Sequence, residues 1–276
     1  MEVSVEFIAS IVLGAVLGIT EFMPISSLGH SLVLAAIFNF PPTADGRNTM
    51  AIFIQLGAVL AVLVYYFRPL VQELVRIPSD QTARRFWVNI IIAFVPIGVL
   101  GLVFNDFIKR VLFQPIIVGL ALIVGGITFL LVEQRKYYPD VHALENITPR
   151  QALTVGFAQI FALIPGISRS GATIVGGLLC GLDRSVATLF TFYLFIPTLG
   201  AAAGYELFKT LRQQPDYFRP LLPYFLLATA VGFVVSLGAI RFLLRYIANH
   251  DFRPFGIYRI IIGAVIIVLV LAQAIH

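Results

Sequence analysis

The sequence predicts an all-α membrane protein that crosses the bilayer several times. Two observations lead to this prediction: 59% of the 276 residues are hydrophobic and only 12% are charged, whereas a soluble domain carries about 25% charged residues. The mean hydropathy of +0.95 agrees with a chain that resides in lipid. Because lipid cannot satisfy free backbone N–H and C=O groups, the apolar runs are expected to be helices. The sequence does not show the alternation of apolar and polar residues that a transmembrane β-strand needs.

Seven apolar runs are long enough, or nearly long enough, to span a bilayer. They are residues 7–20, 50–67, 86–105, 111–132, 185–204, 221–240 and 256–275. The stretches predicted to be loops are residues 68–85, 134–150, 205–220 and 241–255. The opening stretch MEVSVEFIAS has two glutamates and no basic residue, so it does not resemble a cleavable signal peptide, and the first apolar run is expected to remain. We therefore predict one membrane domain over residues 1–276.

The charged residues and the single cysteine exclude other classes of protein. The net charge is +5, but the basic residues lie in short loops, where the orientation bias of Lys and Arg explains them more simply than nucleic-acid binding does. We therefore expect membrane lipids, and no nucleic acid, as partners. Cys180 is the single cysteine, so no internal disulfide can form and the thiol is expected to serve packing.

Two breaks in the apolar pattern resemble each other. The first is GITEFMPISSLGHSLVLA, Gly18 to Ala35, and the second is ALIPGISRSGATIVGG, Ala162 to Gly177. PISSLG aligns with PGISRSG when one glycine is left unpaired, and the two prolines lie about half the chain apart. Paired interruptions of this kind are typical of an internal repeat whose broken helices meet near the membrane midplane. We therefore predict an inverted repeat, with halves of approximately 1–138 and 139–276 and two re-entrant helical hairpins that meet in the membrane.

Arg169, in the second break, predicts an anion-binding site. Burying an arginine in a membrane costs at least about 2.5–3.5 kcal/mol, so a bound anion is favoured over the alternative of an arginine held by loop carbonyls. The planar guanidinium suits phosphate oxygens, and the helix that resumes after the break would direct its positive N-terminus at the same point. Hydroxyl donors and flexible glycines of the same loop would complete the site: Ser168, Ser170, Thr173, Gly166 and Gly171.

The first break brings together hydroxyl, imidazole and carboxylate groups. If a helix begins at Ser27, then Ser27 and His30 lie on one face, and the imidazole can accept the proton of a hydroxyl nucleophile. Glu21 could orient His30, accept a proton itself or help to hold a divalent ion. Helix capping is the alternative role for Ser26 and Ser27, and it is compatible with catalysis. For His30 the alternative is a hydrogen-bonded histidine between helices.

The two breaks together predict phosphoryl chemistry on a substrate embedded in the membrane. One break offers a nucleophile with proton transfer, and the other can bind phosphate and neutralise its charge in the transition state. Gln55, in IFIQLGAVLAV, is a lone amide in a predicted span. It either lines the substrate cavity or hydrogen-bonds another helix, and the sequence favours neither role.

At these residues the chain resembles the bacterial undecaprenyl pyrophosphate phosphatase family, also called the bacitracin-resistance BacA family. TEFMPISSLGH and PGISRSGAT carry the resemblance, IQLGAVLAV and FTFYLFIPTLGA support it, and it covers essentially the whole chain. The resemblance implies a multi-pass enzyme of the bacterial inner membrane that hydrolyses the C55 isoprenoid diphosphate to the monophosphate and inorganic phosphate. Such an enzyme recycles the carrier lipid for peptidoglycan, from a site open to the periplasmic side.

The resemblance also implies roles for individual residues. Ser27 would be the nucleophile, assisted by His30 and Glu21, and a divalent cation such as Mg²⁺ or Ca²⁺ would take part, with Glu21 as a candidate ligand. By the resemblance, Arg169, Ser168, Ser170 and Thr173 would hold the polyprenyl diphosphate. Ser26, Gly166, Gly171 and Gln55 are further candidates for binding it, from their places in the two breaks and in a predicted span. A homodimer is an open alternative to a monomer.

The chain departs from the family pattern at four positions. Apolar residues replace acidic, amide or threonine residues at Leu17, Leu28, Ala51 and Leu189. These losses leave a second hypothesis open, a transporter or flippase of a polyprenyl phosphate or related anion, because binding needs Arg169 and serines but no proton relay. The retained Glu21, Ser27 and His30 favour an enzyme, and a purely structural protein would leave Arg169 unexplained.

Overall fold

The described residues form eleven α-helices and no β-strand, which confirms the all-α prediction. The structure, a computed structural model, describes residues 4–104, 107–135, 138–213, 215–273 and 275. Its helices are α1 (Val5–Phe22), α2 (Ser27–Phe38), α3 (Ala44–Tyr65), α4 (Phe67–Arg76), α5 (Gln81–Val103), α6 (Pro115–Gln134), α7 (Pro149–Ile160), α8 (Arg169–Leu179), α9 (Arg184–Gln213), α10 (Pro215–Ile247) and α11 (Arg253–Leu271). Residues 105 and 274, at the ends of two predicted spans, lie outside the described residues.

Six of these helices are long and apolar enough to cross a membrane: α1, α5, α6, α9, α10 and α11. A seventh candidate consists of α3 and α4 together, although α4 bends away from α3 by 70°. Each of the seven predicted spans is helical over most of its described part, apart from short breaks such as residue 66 and residues 113–114 and from the span ends. The multi-pass prediction is confirmed. By contrast, α2, α7 and α8 have 11 or 12 residues each and reach about 18 Å, well short of the roughly 30 Å hydrocarbon layer.

The predicted loops are shorter than the sequence suggested. Residues 205–213 continue α9, residues 215–220 begin α10, and residues 67–76 form α4. With 33 residues, α10 is about 50 Å long, which is longer than the roughly 30 Å hydrocarbon layer. Its polar end segments are therefore helical although they extend beyond that layer. Low hydropathy at a span end therefore marked the edge of the apolar segment and not the end of the helix.

Glycines allow α1 to pack closely against α10. A methyl group at Gly14 would lie 2.4 Å from the carbonyl oxygen of Ala228, and one at Gly18 would lie 2.7 Å from that of Gly232. Small residues four apart let helix backbones approach in lipid, where no hydrophobic force draws helices together. The Ser236 hydroxyl adds a hydrogen bond of 3.2 Å to the Gly18 carbonyl. This packing fixes the end of α1, where the first break begins.

The same pattern of helix contacts occurs around both breaks. Around the first break α1 packs on α2 and on α10, and around the second break α7 packs on α8 and on α5, so each set includes one long helix from the other predicted half of the chain. The predicted halves also meet where α3 contacts α9 and where α6 contacts α11. This correspondence agrees with a repeat, and the inverted orientation of its halves stays a prediction.

Glu133, at the end of α6, anchors the start of α11. Its buried carboxylate accepts hydrogen bonds from the Arg184 side chain and from the backbone N–H of Phe252, at 3.1 Å. Arg253 donates to the backbone carbonyl of Glu133 at 3.1 Å. A buried carboxylate with several donors holds its neighbours firmly, because each lost bond would leave a charge unsatisfied. The cluster therefore fixes α11, which carries two side chains of the site.

Candidate active site

The two breaks have the same local backbone geometry. Ser26 precedes α2 with φ 71°, and Ser168 precedes α8 with φ 72°. Each serine hydroxyl accepts a hydrogen bond from the glycine N–H three residues later, Gly29 at 3.3 Å and Gly171 at 3.2 Å. The capping role considered for Ser26 is therefore confirmed. A positive φ costs a residue with a side chain about 1–3 kcal/mol, and such strain is typically found at functional sites.

The two breaks lie against each other inside the protein. The Ser170 hydroxyl, in the second break, donates to the carbonyl of Met23, in the first, at 3.2 Å. A longer contact of 3.4 Å joins the same hydroxyl to the carbonyl of Glu21. Because 147 residues separate Ser170 from Met23, these bonds bring together functional groups from distant parts of the sequence.

A cavity of about 300 Å³ lies between the breaks. Six of the predicted site residues line it: Glu21, Ser26, Ser27, Gly166, Ser168 and Arg169. Apolar residues form much of the rest of its wall, among them Phe94, Ile97, Leu102, Ile108 and Phe113. A small polar cluster facing an apolar wall is the usual composition of a ligand site, and here it suits an anionic head group joined to a hydrocarbon tail.

Arg169 and Glu21 form an ion pair at this cavity. Nη2 of Arg169 lies 3.5 Å from Oε1 of Glu21, and their side chains are 16% and 3% exposed. The second carboxylate oxygen, Oε2 of Glu21, is buried and has no hydrogen-bond partner among the described residues. An unpaired buried carboxylate oxygen is costly, so the site is suited to receive a donor or a cation at this atom.

Two helix N-termini converge on the cavity. Ser27 is the first residue of α2 and Arg169 is the first residue of α8, and both line the cavity. The first-turn N–H groups of a helix lack intrahelical acceptors, and the helix dipole adds positive potential at the same end. Together with the Arg169 guanidinium, these ends form a site for a multiply charged anion such as a diphosphate.

His30 is held away from the predicted contact with Ser27. Its Nδ1 lies 2.8 Å from the Ser26 carbonyl, and its Nε2 lies 2.7 Å from the Tyr258 hydroxyl. Because a carbonyl only accepts, Nδ1 carries the hydrogen, and Nε2 of the neutral ring accepts from Tyr258. Within the described part of the chain no hydrogen bond joins Ser27 to His30, since both ring nitrogens have other partners. The role of His30 as a base stays a prediction, and it requires Tyr258 to release Nε2.

Other predicted binding residues surround the cavity without being among the described residues that line it. The buried Ser170 bonds the first break, and the buried Thr173 donates to the Arg169 carbonyl at 3.0 Å. Gly171 donates its N–H to the Ser168 cap, and Gln55 is buried on α3. Of the residues of α8, Arg169 alone is among the described residues that line the cavity. For these four residues, contact with the diphosphate stays a prediction.

Two charged residues at the breaks and the cavity, Arg259 and Glu206, were not predicted from the sequence. Arg259 is buried on α11 and donates hydrogen bonds to both breaks. The sequence feature that could have identified it is the one that identified Arg169, a cation inside an apolar run. Glu206 lines the cavity beside Thr198 and Tyr205. The predicted span ended at residue 204, so this carboxylate was assigned to a loop.

Three of the four apolar residues at positions where the resemblance implies polar groups lie together. Leu17 and Ala51 are buried in one apolar cluster, and Leu28 packs against it. Leu189 packs against the larger core instead. A single carboxylate in the cluster of Leu17 and Ala51 would lie among apolar residues, where an unpaired charge is costly.

Comparison with known proteins supports the resemblance. The profile of a family described as bacitracin resistance protein BacA matches residues 10–265. The chain is 42% identical to the undecaprenyl-diphosphatase of Deinococcus radiodurans, over 96% of both chains. It is 43% identical to undecaprenyl-diphosphatase 1 of Pseudomonas fluorescens, over 94% of this chain and 92% of that one. It is 45% identical to the undecaprenyl-diphosphatase of Pseudomonas aeruginosa, over 93% of this chain and 91% of that one.

Proposed function

Because the chain belongs to the family of the bacitracin resistance protein BacA, we propose that it is a membrane phosphatase that hydrolyses undecaprenyl diphosphate to undecaprenyl phosphate and inorganic phosphate. The observation that carries the proposal is that one cavity presents both the Ser27 hydroxyl and the Arg169 guanidinium, each at a helix N-terminus. The reaction recycles the lipid carrier for peptidoglycan synthesis and confers bacitracin resistance. The relatives carry the name of a diphosphatase, which favours hydrolysis over the transporter hypothesis.

Binding of the diphosphate rests on Arg169 and the two helix N-termini. The guanidinium can bind two phosphate oxygens in its plane, and the first-turn N–H groups add donors of fixed direction. The apolar wall receives the first isoprene units of the tail. Donors fixed in place before the substrate arrives stabilise the extra charge of the transition state at little reorganisation cost.

The chemical step uses the Ser27 hydroxyl as nucleophile. Its oxygen attacks the terminal phosphorus, the bond from that phosphorus to the bridging oxygen breaks, and undecaprenyl phosphate leaves. Water then hydrolyses the phosphoserine and releases inorganic phosphate. Glu21 is the better placed proton acceptor, because its carboxylate lines the cavity, whereas both nitrogens of His30 are engaged.

A divalent cation such as Mg²⁺ or Ca²⁺ fits this site as a partner of the substrate. Among the described residues no group of three or more His, Cys, Asp or Glu side chains could hold a metal ion. Mg²⁺, however, commonly binds to one or two carboxylates together with substrate phosphates. Glu21, with its unpartnered Oε2, would hold the cation, and Glu206 lines the same cavity. The cation would neutralise charge on the diphosphate oxygens.

The finer location follows the family. Six apolar helices support a multi-pass membrane protein. We place it in the bacterial inner membrane with the cavity open to the periplasmic side. Accessibility labelling of a cysteine introduced at an exposed α5 position, such as Leu102, would test this orientation.

The decisive experiment is phosphate release from undecaprenyl diphosphate by the purified protein in detergent. Wild type should release phosphate, and Ser27→Ala should lose this activity while still binding the lipid. Ser10→Ala is the matched control, because the Ser10 hydroxyl is buried on α1 and, within the described ranges, bonds only the Glu6 carbonyl. No release by wild type, with lipid phosphate still bound through Arg169, would favour the transporter. Full activity of Ser27→Ala would remove Ser27 as the nucleophile.

A further inference from the structure

Arg259 is buried at the contact between the two breaks. The residue is 1% exposed, although it belongs to the apolar helix α11. Its Nη1 donates to the Pro24 carbonyl at 3.1 Å, and its Nη2 donates to the Gly166 carbonyl at 3.1 Å and to the Ile167 carbonyl at 2.7 Å. One guanidinium therefore bonds the first break through one nitrogen and the second break through the other.

The bonded carbonyls belong to the parts of the chain that have no helical hydrogen bonds. In lipid, non-helical backbone is tolerated only where protein groups satisfy it. Pro24 lies three residues before Ser27, and Ile167 lies two residues before Arg169. The guanidinium thus fixes the two loops at points directly before the proposed nucleophile and the proposed phosphate ligand.

The surroundings of Arg259 are shaped for a guanidinium. A methyl group at Gly125 would lie 1.8 Å from its Nη2, and the Phe129 ring lies beneath it, 5.7 Å from Cζ to the ring centroid. Its bonds go to carbonyls, and no carboxylate of the described residues pairs with it. A buried cation without a counter-ion is expensive, and pure packing at this position could be achieved by an apolar side chain.

We propose that Arg259 is a positioning residue that sets the distance between Ser27 and Arg169. The proposal rests on the phosphatase function above and assigns to Arg259 no contact with the substrate. Without the bridge the two loops can separate, and a displacement of about 1 Å between reacting groups costs roughly 100-fold in rate. Arg259→Lys should show this loss, because an ammonium is a point charge that cannot bond both loops from two nitrogens.

Steady-state kinetics distinguish a positioning role of Arg259 from a role in stability alone. In phosphate release from undecaprenyl diphosphate, Arg259→Lys and Arg259→Ala should lower kcat about 100-fold and change KM much less. Added guanidinium chloride at millimolar concentration should restore part of the kcat of Arg259→Ala, because the ion can enter the space left by the side chain. A role in stability alone predicts wild-type kcat in the folded fraction and no rescue.

A second variant disturbs the bridge without changing Arg259. Gly125→Ala places a methyl group against Nη2, so it should break the bonds to Gly166 and Ile167 and lower kcat in the same way. Gly238→Ala is the matched control, because a methyl group there meets nothing within 4 Å, and its activity should equal that of wild type. Wild-type kcat in both Gly125→Ala and Arg259→Lys would overturn the proposal.

A distance measurement decides the question even without turnover. Spin labels at Ile37 and Leu179, exposed residues towards the ends of α2 and α8, report the relative placement of the helices that follow the breaks, in a Cys180→Ala background. Arg259→Lys should shift or broaden this distance relative to wild type, and an unchanged distribution would overturn the proposal. If wild type releases no phosphate, the phosphatase function fails, while the distance measurement still tests the bridge.

Discussion

Glu21 and Arg169 form an ion pair at the cavity between the two breaks. Oε1 of Glu21 lies 3.5 Å from Nη2 of Arg169, longer than the roughly 2.7–2.9 Å of a strong charge-assisted hydrogen bond, so the pair can open. A diphosphate that binds the guanidinium, as proposed, would displace the carboxylate. The buried carboxylate would then need a proton or a cation, because an unpaired charge in this environment is costly. Phosphate binding would therefore be coupled to the protonation or cation binding of Glu21.

Arg169→Lys should lower kcat/KM for undecaprenyl diphosphate by about 10²–10³-fold, the size of effect seen when one preorganised donor to transition-state charge is lost. Lysine keeps the charge but cannot bind two oxygens in one plane. Phosphate release at several lipid concentrations measures this. Arg84→Lys is the control, because Arg84 is exposed at the start of α5 and bonds the carbonyls of Ile77 and Pro78, away from the cavity. Wild-type kinetics for Arg169→Lys would contradict the phosphate-binding role.

Chelation should abolish phosphate release, and Mg²⁺ or Ca²⁺ should restore it. The reason is that Glu21, once displaced from Arg169, faces an anionic substrate and needs a cation beside it. Glu21→Gln keeps the shape of the side chain without its charge, so any remaining activity should need a higher Mg²⁺ concentration. Glu145→Gln, in an exposed turn, should respond to Mg²⁺ as wild type does. Full turnover in chelator would show that a proton alone satisfies Glu21.

His30→Ala and Tyr258→Phe should differ in their effects. A base or acid in the transition state contributes about 10²–10⁴-fold, so His30→Ala should lower kcat by that factor if the imidazole takes part. Tyr258→Phe removes only the hydroxyl at Nε2, leaves the ring held by the Ser26 carbonyl, and should keep turnover near wild type. Single-turnover phosphate release would compare the two. Equal losses in both variants would mean that the Tyr258 hydroxyl itself is required.

Leu17→Glu should destabilise the protein, although it restores an acidic group of the family pattern. Leu17 is 1% exposed inside an apolar cluster with Ala51, and a carboxylate in apolar membrane surroundings costs about 3 kcal/mol. Denaturant unfolding in detergent measures this loss against Leu17→Met, where a volume-conserving change should cost less than about 1.5 kcal/mol. Unchanged stability of Leu17→Glu would show that a partner for the carboxylate exists nearby.

The local features of the site were predictable because they depend on neighbouring residues. A serine before a helical run predicts a cap, and Ser26 is the cap of a helix that begins at Ser27 as expected. The isolated cation in an apolar run predicted Arg169 at the cavity. These inferences need only backbone chemistry and the cost of charge in lipid.

The features that were missed depend on packing between distant segments. Tyr258 reaches His30 across 228 residues of sequence, and no spacing rule relates two residues so far apart. Glu206 entered the cavity because α9 continues to Gln213, whereas hydropathy recorded only the apolar part of that helix. Helix ends are set by hydrogen bonding and packing as well as by composition, so the pattern alone could not place this residue.

The matching backbone of Ser26 and Ser168 makes the two helix N-termini interchangeable as scaffolds. In the aligned breaks the next residue is Ser27 in one and Arg169 in the other, so a single position decides whether a loop supplies a hydroxyl or a guanidinium. Under the proposed function, the difference in role between the loops would therefore lie in one side chain on each and not in the backbone that carries it. Exchanging the two residues, Ser27→Arg with Arg169→Ser, would then place the proposed nucleophile and the proposed phosphate ligand at each other's helix N-terminus, while surrounding groups such as Glu21 would keep their places.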